Sequence, residues 1–278
     1  MQGAVLSGIS EGLSPVPTGE LVVRALPARQ RLAFSLVVPT RNESHNLCQL
    51  IELLKPVIEA EVGESYEIIV VDDDSPDETW QVAAEMAVID PHVVALRRMD
   101  ERGLATAVIR GWQAARGNLL GVIDADLQHP PEITGSLIAA MHGGADLAVG
   151  SREAEGGGTS DWSLLRLMIS RGSRMLGRMI LPGVLSRVSD PMTGFFVVRR
   201  TAIEGVVMTP CGYKILVELL VRSRMREIVE VGYVFRSRQR GESKASMKVF
   251  VDYVQHLLRL RATAREPREA LSKSAAAK

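Results

Sequence analysis

From residue 34 to residue 150, short apolar runs alternate with segments in which apolar side chains recur every three or four residues. The runs have the length of buried strands, and the segments between them have the periodicity of amphipathic helices. Regular alternation of strand and helix indicates an α/β fold, an open and mainly parallel central sheet with helices on both faces. The predicted strands are residues 34–39, 67–72, 93–96, 119–123 and 146–150.

The helix after the second strand carries a start signal. Ser75-Pro76-Asp77-Glu78 places a hydroxyl at the N-cap position, proline at the first helical position and an acid at the third. This is the pattern of a capping box. Beyond residue 150, the same reasoning predicts strands over 195–198 and 228–235, with a helix over 213–222 between them.

Composition and cysteine spacing limit the protein class. We expect one main domain over residues 32–240, preceded by a flexible tail over 1–31 and followed by a loop, an amphipathic helix and a tail over 241–278. The net charge of zero gives no indication of nucleic acid as a partner. Cys48 and Cys211 lack a metal-ligand spacing, so we expect reduced thiols. No run approaches the ~20 apolar residues that span a membrane as a helix.

Acidic side chains follow three of the predicted strands at the point where each strand ends. The carboxyl ends of parallel strands meet at one edge of the sheet, where ligands of such folds bind. One acidic strand end is ordinarily solvated, whereas three at one edge favour a bound cation or a hydroxyl-rich ligand. The acids are Glu43, Asp72, Asp73, Asp74, Asp124 and Asp126.

The motifs narrow the class of ligand. The chain has no GxGxxG after the first strand, no GxxxxGK[ST], no zinc-protease spacing and no GxSxG. These absences argue against the usual dinucleotide site, a P-loop, a zinc protease and a serine hydrolase. What remains is Asp124-Ala125-Asp126 followed by Gln128. Their oxygens suit Mg²⁺ or Mn²⁺, and such a metal at a sheet edge suggests a nucleoside diphosphate derivative.

A basic amphipathic segment extends over residues 162–188, where arginines alternate with leucine, isoleucine and methionine and no acid occurs. Such a segment suits an anionic membrane surface or a lipid phosphate. It equally suits a helix that packs its apolar side on the sheet, and the pattern does not decide between them. The C-terminal helix, with apolar residues from Met247 to Leu258 on one side, repeats the pattern. The arginines are Arg166, Arg171, Arg174, Arg178 and Arg187.

Six motifs follow one another along the chain: VPTRNE at 38–43, VDDDSPD at 71–77, DADLQHPP at 124–131, GSR at 150–152, DPMTGFF at 190–196 and RGESK at 240–244. Together they resemble family 2 glycosyltransferases with the GT-A, Rossmann-like nucleotide-diphospho-sugar transferase fold, and within that family the dolichyl-phosphate (polyprenyl-phosphate) mannose synthases. The resemblance implies transfer of mannose from GDP-mannose to a polyprenyl phosphate, with inversion at the anomeric carbon and Mg²⁺ or Mn²⁺ as cofactor.

The resemblance also implies roles, residue by residue. For the nucleotide sugar it implies Pro39, Arg41, Glu43, Val71, Asp73, Asp124, Ala125, Asp126, Gln128, Arg152, Arg238 and Lys244. For the acceptor phosphate it implies Arg152, Arg166 and Ser170, and for the metal Asp126 and Gln128 with Asp124 beside them. For catalysis it implies Asp126, Arg238 and Lys244.

The chemistry of such a transfer is consistent with these roles. The leaving diphosphate develops negative charge, which a metal and the pair Arg238 and Lys244 can compensate. The nucleophile is a phosphate oxygen that is already ionised at neutral pH. A strong general base is therefore unnecessary, and cations that orient the acceptor matter more.

The chain departs from the family pattern at two points. Arg41 stands where the family often has tyrosine, although a guanidinium can also stack on a base. The C-terminal membrane helices of some relatives are absent. We expect a peripheral enzyme on the cytoplasmic face of a membrane, and a membrane-anchoring protein is a possible partner. The alternatives are the same fold using UDP-glucose or UDP-N-acetylglucosamine, and a non-catalytic module that binds sugar nucleotides or lipid.

Overall fold

The computed structural model describes residues 12–160, 164–210, 213–223, 225–237 and 247–263. The strands of the main sheet are β1 (Leu32–Thr40), β2 (Tyr66–Asp72), β3 (Val93–Arg97), β4 (Gly117–Val122), β5 (Leu147–Ser151), β7 (Phe196–Arg199) and β8 (Ile228–Gly232). Their order is β3-β2-β1-β4-β7-β5-β8. Two short strands, β6 (Gly158–Thr159) and β9 (Val234–Phe235), pair separately.

The sheet is mainly parallel, as predicted from the alternation of elements. Only β7 runs against its neighbours, β4 and β5. Thr40 at the end of β1 pairs with Asp72 at the end of β2, and Val37 of β1 pairs with Val122 at the end of β4. The loops that leave β1, β2 and β4 therefore emerge at the same edge of the sheet.

Helices cover both faces of the sheet. Every residue of β1 from Phe34 onward and every residue of β2 is buried, as expected for parallel strands covered on both sides. A Cβ on Gly111 would lie 2.6 Å from Val37, so glycine lets the helix lie close to the sheet. The helices are α1 (Ser44–Val62), α2 (Thr79–Ile89), α3 (Leu104–Ala114), α4 (Ile133–His142), α5 (Leu164–Ile180), α6 (Pro182–Leu185), α7 (Arg200–Ile203), α8 (Ile215–Arg222) and α9 (Met247–Thr263).

The N-terminal segment differs from the flexible tail predicted over residues 1–31. Residues 1–11 lie outside the described residues, but from residue 12 the chain packs against the domain. Leu13 forms a β-bridge with Ala95, and Val23 is fully buried. An extended segment that docks through a few apolar contacts has no periodicity, which is why the sequence pattern did not reveal it.

The capping box predicted at Ser75 is not formed, and α2 begins four residues later, at Thr79. Ser75 instead donates its hydroxyl (2.6 Å) and its backbone N–H (2.8 Å) to the Asp72 carboxylate. Glu78, the residue before the helix, has a left-handed backbone with φ of 60°. Asp72 at the end of β2 thus accepts the hydrogen bond of the hydroxyl that was predicted to cap the helix.

The basic segment predicted over 162–188 contains α5, and α9 packs against it. Tyr253 of α9 donates its hydroxyl to the carbonyl of Ser173 (3.3 Å). A Cβ on Gly177 would clash with that hydroxyl, so the small residue permits the close approach of the two helices. None of the helices in the described part of the chain combines the length and the apolarity needed to cross a bilayer.

Candidate active site

A cavity of about 700 Å³ opens at the sheet edge where β1, β2 and β4 end. Acids from separate strand ends meet in its wall, as the predicted parallel arrangement requires. Ten of the residues selected by the motifs line it. They are Pro39, Arg41, Glu43, Asp73, Asp124, Ala125, Asp126, Gln128, Arg152 and Ser170.

Asp126 and Gln128 lie in a tight turn after β4. Leu127 between them has a left-handed backbone, with φ of 58°. The backbone N–H of Gln128 donates to the Asp126 carboxylate (3.1 Å), and its side-chain amide nitrogen donates to the carbonyl of Arg236 (3.0 Å). This hydrogen bond fixes the orientation of the amide, and its carbonyl oxygen, the acceptor atom of the group, is the atom that can act as a ligand.

The two oxygen ligands, Asp126 and Gln128, fit a hard divalent cation. Each residue is 8% exposed and lines the cavity. The described residues contain no group of three or more His, Cys, Asp or Glu side chains placed to hold a metal. A magnesium site of the nucleotide type does not need one, because one or two carboxylates are completed by phosphate oxygens and water. The residues therefore fit a metal that binds together with a diphosphate.

Asp124 begins the same turn and is closely approached by the loop before β7. A Cβ on Gly194 would lie 3.1 Å from the Asp124 carboxylate, so any larger residue there would require the carboxylate to move by a few tenths of an ångström. His129 Nε2 lies 3.5 Å from that carboxylate. The imidazole packs between the rings of Phe195 and Phe235, with centroids 5.2 and 5.1 Å away. His129 therefore anchors the turn in an aromatic cluster.

Arginines hold together the loops that follow β1 and β2. The Asp73 carboxylate accepts hydrogen bonds from Arg98 Nε (2.7 Å) and from the backbone N–H of Gly103 (2.7 Å). Arg41 donates to the backbone carbonyl of Asp73. The Asp73 side chain, which the resemblance implied for nucleotide binding, is thus already engaged in holding the loop before α3.

Val71 does not line the cavity, in contrast to the role that the resemblance implied for it. It is fully buried in β2, and a Cβ on Gly111 of α3 would lie 3.1 Å from it. Asp72 beside it also serves the fold, since its carboxylate accepts hydrogen bonds from Thr40 (2.8 Å) and Ser75 (2.6 Å). Burial raises the pKa of Asp72, although these hydrogen bonds oppose the shift.

Arg152 forms a buried bidentate ion pair with Asp190, with N–O distances of 2.6 and 2.8 Å. Asp190 is fully buried. Burial by itself would raise the pKa of Asp190, but the contact with Arg152 lowers it below the usual value. The guanidinium also lies 5.5 Å from the ring of Phe235. Its orientation in the cavity wall is therefore fixed by a carboxylate and an aromatic ring.

The cavity contains a lysine to which the sequence analysis gave no role. Lys214 lines the wall and donates its ammonium to the carbonyl of Met192 (2.9 Å). Burial and the nearby charge of Arg152 lower the pKa of Lys214, against the opposing influence of Asp124 and Asp190. Other lining residues to which no role was assigned from the sequence are Arg102, Ser173, Thr193 and Tyr213.

Three of the predicted residues are not described at the side-chain level. Arg238 and Lys244 lie outside the described residues, as does the side chain of Arg166, although its backbone belongs to α5. Ser170 of α5 lines the cavity, and Ser173 lines it one turn later. Helix α5 therefore contributes directly to the wall.

Comparison with known proteins identifies relatives of the chain. The model of glycosyl transferase family 2 matches residues 35–207. A dolichol-phosphate mannosyltransferase of Pyrococcus furiosus is 44% identical over 229 residues, which cover 82% of this chain and 64% of that protein, just under two thirds of its length. A dolichol-phosphate mannosyltransferase of Saccharomyces cerevisiae is 35% identical over 238 residues, which cover 82% of this chain and 87% of that protein.

Solved structures with low identity share the fold. Glucosyl-3-phosphoglycerate synthase from Mycobacterium tuberculosis, determined with Mn²⁺, UDP and glucosyl-3-phosphoglycerate, gives a TM-score of 0.62 at 18% identity over 84% of this chain and 80% of that one. Mannosyl-3-phosphoglycerate synthase from Rubrobacter xylanophilus gives a TM-score of 0.63 at 22% identity, over 85% of this chain and 77% of that one. The GT-A fold expected from the motifs is confirmed. Because the family model covers more than half of the sequence, the chain belongs to glycosyltransferase family 2.

Proposed function

We propose that this protein transfers mannose from GDP-mannose to a polyprenyl (dolichyl-type) phosphate and so forms polyprenyl-phosphate-mannose. The observation that carries the proposal is that one cavity joins an acidic strand edge, with Asp126 and Gln128, to a wall with the partly buried cation Arg152, whose side chain is 12% exposed. Relatives named as dolichol-phosphate mannosyltransferases, at 35–44% identity, support the choice of sugar and acceptor.

The donor binds at what we call the donor-side wall. Its residues are Pro39, Arg41, Glu43, Asp73, Asp124, Ala125, Asp126 and Gln128. Asp126 and Gln128 would hold Mg²⁺ or Mn²⁺, which when bound supplies positive charge to the leaving diphosphate. Arg238 and Lys244 add to this compensation in the proposal.

The acceptor phosphate binds at what we call the acceptor-side wall. Its residues are Arg152, Ser170, Ser173, Asp190 and Lys214. Arg152 is held in place by Asp190, so it can orient the acceptor phosphate without first being ordered itself. Arg166 serves the same phosphate. An ionised phosphate oxygen needs no base to remove a proton before it attacks the anomeric carbon of mannose.

The outer face of α5 supports peripheral binding at the cytoplasmic face of a membrane. Met168, Met175 and Met179 are 70%, 67% and 67% exposed, and their spacing places them on one side of the helix. Arg171 and Arg178 fall on the same side and are exposed. Methionine side chains can enter the interface while guanidiniums contact anionic headgroups. A membrane-anchoring partner protein could strengthen this attachment.

Transfer assays with a panel of labelled sugar nucleotides test the proposal. Purified protein is given a short polyprenyl phosphate with GDP-mannose, UDP-glucose or UDP-N-acetylglucosamine, each with Mn²⁺, with Mg²⁺ and with chelator. We expect a prenyl-phosphate product from GDP-mannose that requires the metal. Transfer from a UDP-sugar alone would replace the donor assignment. Nucleotide binding without any transfer would indicate a non-catalytic module.

A further inference from the structure

Lys214 differs from Arg152 because no described acid forms an ion pair with it, although Asp124 and Asp190 act on its charge from a longer distance. The described ion pairs give Arg152 the carboxylate of Asp190, but they include no carboxylate within ion-pair distance of Lys214. Its described partner is the uncharged carbonyl of Met192, at 2.9 Å. An ammonium has three N–H donors, so this single hydrogen bond uses a small part of what Lys214 can donate.

Lys214 is partly buried, and an ammonium that loses hydration without gaining an ion-pair partner is unfavourable, because a neutral carbonyl replaces that hydration only in part. Burial and the charge of Arg152 lower the pKa of Lys214, which reflects the same imbalance. An anion that binds beside Lys214 would supply the missing charge. The substrates of the proposed reaction carry such anions in the form of phosphate groups.

We propose that Lys214 binds the phosphate monoester of the acceptor, together with Arg152, and so places the attacking oxygen next to the donor sugar. This inference rests on the proposed function for the identity of the acceptor. It adds to the site a residue that neither the motifs nor the composition selected.

The position of Lys214 favours the acceptor phosphate over the donor diphosphate. For the donor diphosphate, the proposed function already assigns the oxygen ligands Asp126 and Gln128 and the metal that they fit. Lys214 interacts electrostatically with Arg152, Asp124 and Asp190, and its hydrogen-bond partner Met192 lies in the loop that carries Asp190. Helix α5, whose outer face bears the exposed methionines, completes this wall. Two of the three charged groups that act on Lys214, Arg152 and Asp190, therefore belong to the acceptor-side wall.

Lys214→Met and Lys214→Arg separate charge from size. Binding of farnesyl phosphate and binding of GDP with Mn²⁺ are measured separately by calorimetry. We expect Lys214→Met to weaken farnesyl phosphate binding about tenfold or more, in keeping with the loss of a charged hydrogen bond, and to leave GDP binding unchanged. Lys214→Arg should restore most of the affinity. Lys55→Met is the matched control. Lys55, on α1, pairs with Asp90 and does not line the cavity.

Three outcomes overturn the inference. Unchanged farnesyl phosphate binding in Lys214→Met excludes the contact. Weaker GDP binding with unchanged farnesyl phosphate binding assigns Lys214 to the donor. Equal weakening of both denies a specific acceptor role. If Lys214→Met fails to fold, protection of the wild-type Lys214 amine from acetylation, mapped by mass spectrometry, replaces it: farnesyl phosphate should protect, and GDP with Mn²⁺ should not.

The two proposals can fail independently. In steady-state assays, Lys214→Met should raise the KM for the prenyl phosphate more than it changes the KM for GDP-mannose. Wild-type protein that binds farnesyl phosphate through Lys214 but transfers no mannose would reject the proposed function and keep this inference. If the KM for the prenyl phosphate is the same in Lys214→Met as in wild type while mannose is transferred, this inference is rejected and the proposed function is kept.

Discussion

The two walls of the cavity carry opposite charges and are built in different ways. In the donor-side wall, strand ends present acids that line the cavity, among them Asp73 and Asp126, and Asp73 is also paired with Arg98. In the acceptor-side wall, loops and helices present the cations Arg152 and Lys214. A negative edge needs a metal before it can hold a diphosphate, whereas a positive wall can hold a phosphate directly.

The difference extends to what supports each wall. Register between β1 and β2 brings the donor-side loops together, because Thr40 pairs with Asp72 at the strand ends. The acceptor-side wall depends instead on the buried ion pair of Arg152 and on α5, which α9 supports from behind. Disturbing an ion pair or a helix contact should therefore harm the acceptor-side wall and spare the donor-side wall.

Asp126→Ala should have the largest effect on activity. It removes the proposed carboxylate ligand of the metal, and we expect kcat/KM to fall by at least ~100-fold, the scale of losing charge stabilisation at a leaving group. The donor panel assay with Mn²⁺ measures it. Glu52→Ala is the matched control, because Glu52 is an exposed acid of α1. Turnover in Asp126→Ala equal to that of Glu52→Ala would exclude Asp126 as a metal ligand.

Arg152→Met should have the largest effect on stability. It leaves the Asp190 carboxylate buried without its partner, and breaking such a pair costs about 3–5 kcal/mol. Urea unfolding followed by circular dichroism measures the loss. Arg97→Met is the control, because the Arg97–Asp74 pair is partly exposed, at 27% and 30%, and such pairs contribute at most ~1 kcal/mol. Equal losses would show that the acceptor-side pair has no special structural role.

The pH dependence of that stability has a defined sign. The pKa of Asp190 is lowered in the folded protein by Arg152. Its contribution to stability is therefore fully present above the unfolded value of ~3.9 and is lost as the pH falls below it. Arg152→Met should remove this contribution, so the unfolding free energies of wild type and variant should converge as the pH falls below that value.

The donor-side wall was largely predictable from the sequence. Asp124, Asp126 and Gln128 follow a predicted strand, and parallel strands bring their ends to one edge. What the pattern missed is which acids face the cavity: Asp72 and Asp73 are adjacent in sequence, yet Asp72 bonds within the fold while Asp73 borders the site. The choice depends on partners such as Arg98, which lies 25 residues away from Asp73.

The acceptor-side wall was predictable only in part. Arg152 and Ser170 were selected from motif resemblance, whereas Lys214 was not. Lys214 lines the cavity and is held there by a hydrogen bond to the carbonyl of Met192, 22 residues earlier. No rule of sequence spacing links two such loops. The signal that could have found it was a cation among apolar neighbours, Tyr213 and Ile215, at the start of a helix.

Met175→Glu with Met179→Glu should weaken membrane binding and leave donor binding intact. Burying one methionine at an interface contributes about 1.5–3 kcal/mol, so we expect vesicle affinity to fall at least ~10-fold. Flotation with anionic and with neutral vesicles measures it, and GDP binding serves as the readout of the donor-side wall. Ile89→Glu is the control, because Ile89 is 85% exposed on α2. Equal flotation of all three proteins would exclude the α5 face.

His256→Gln should have the smallest effect, and it tests whether the support of α5 depends on pH. His256 of α9 lies 3.3 Å from Glu218 of α8, and both side chains are buried. Burial lowers the pKa of His256; Glu218 opposes the shift, whereas Arg259 on α9 and Arg222 on α8 add to it.

Because the unfolded histidine takes up a proton near ~6.5 and the folded one only at lower pH, acidification stabilises the unfolded state and lowers the stability of the fold. We therefore expect the melting temperature of wild type to fall more between about pH 7.5 and 5.5 than that of His256→Gln, by no more than a few degrees, since 1 kcal/mol moves it ~2–4 °C in a chain of this size. His45→Gln, which changes an exposed histidine, should follow wild type. If the melting temperature of His256→Gln falls as much as that of wild type, α9 is held against the domain by the apolar packing of Leu257 and Leu260. The acceptor-side wall is then as insensitive to pH in this range as the strand register that holds the donor-side wall.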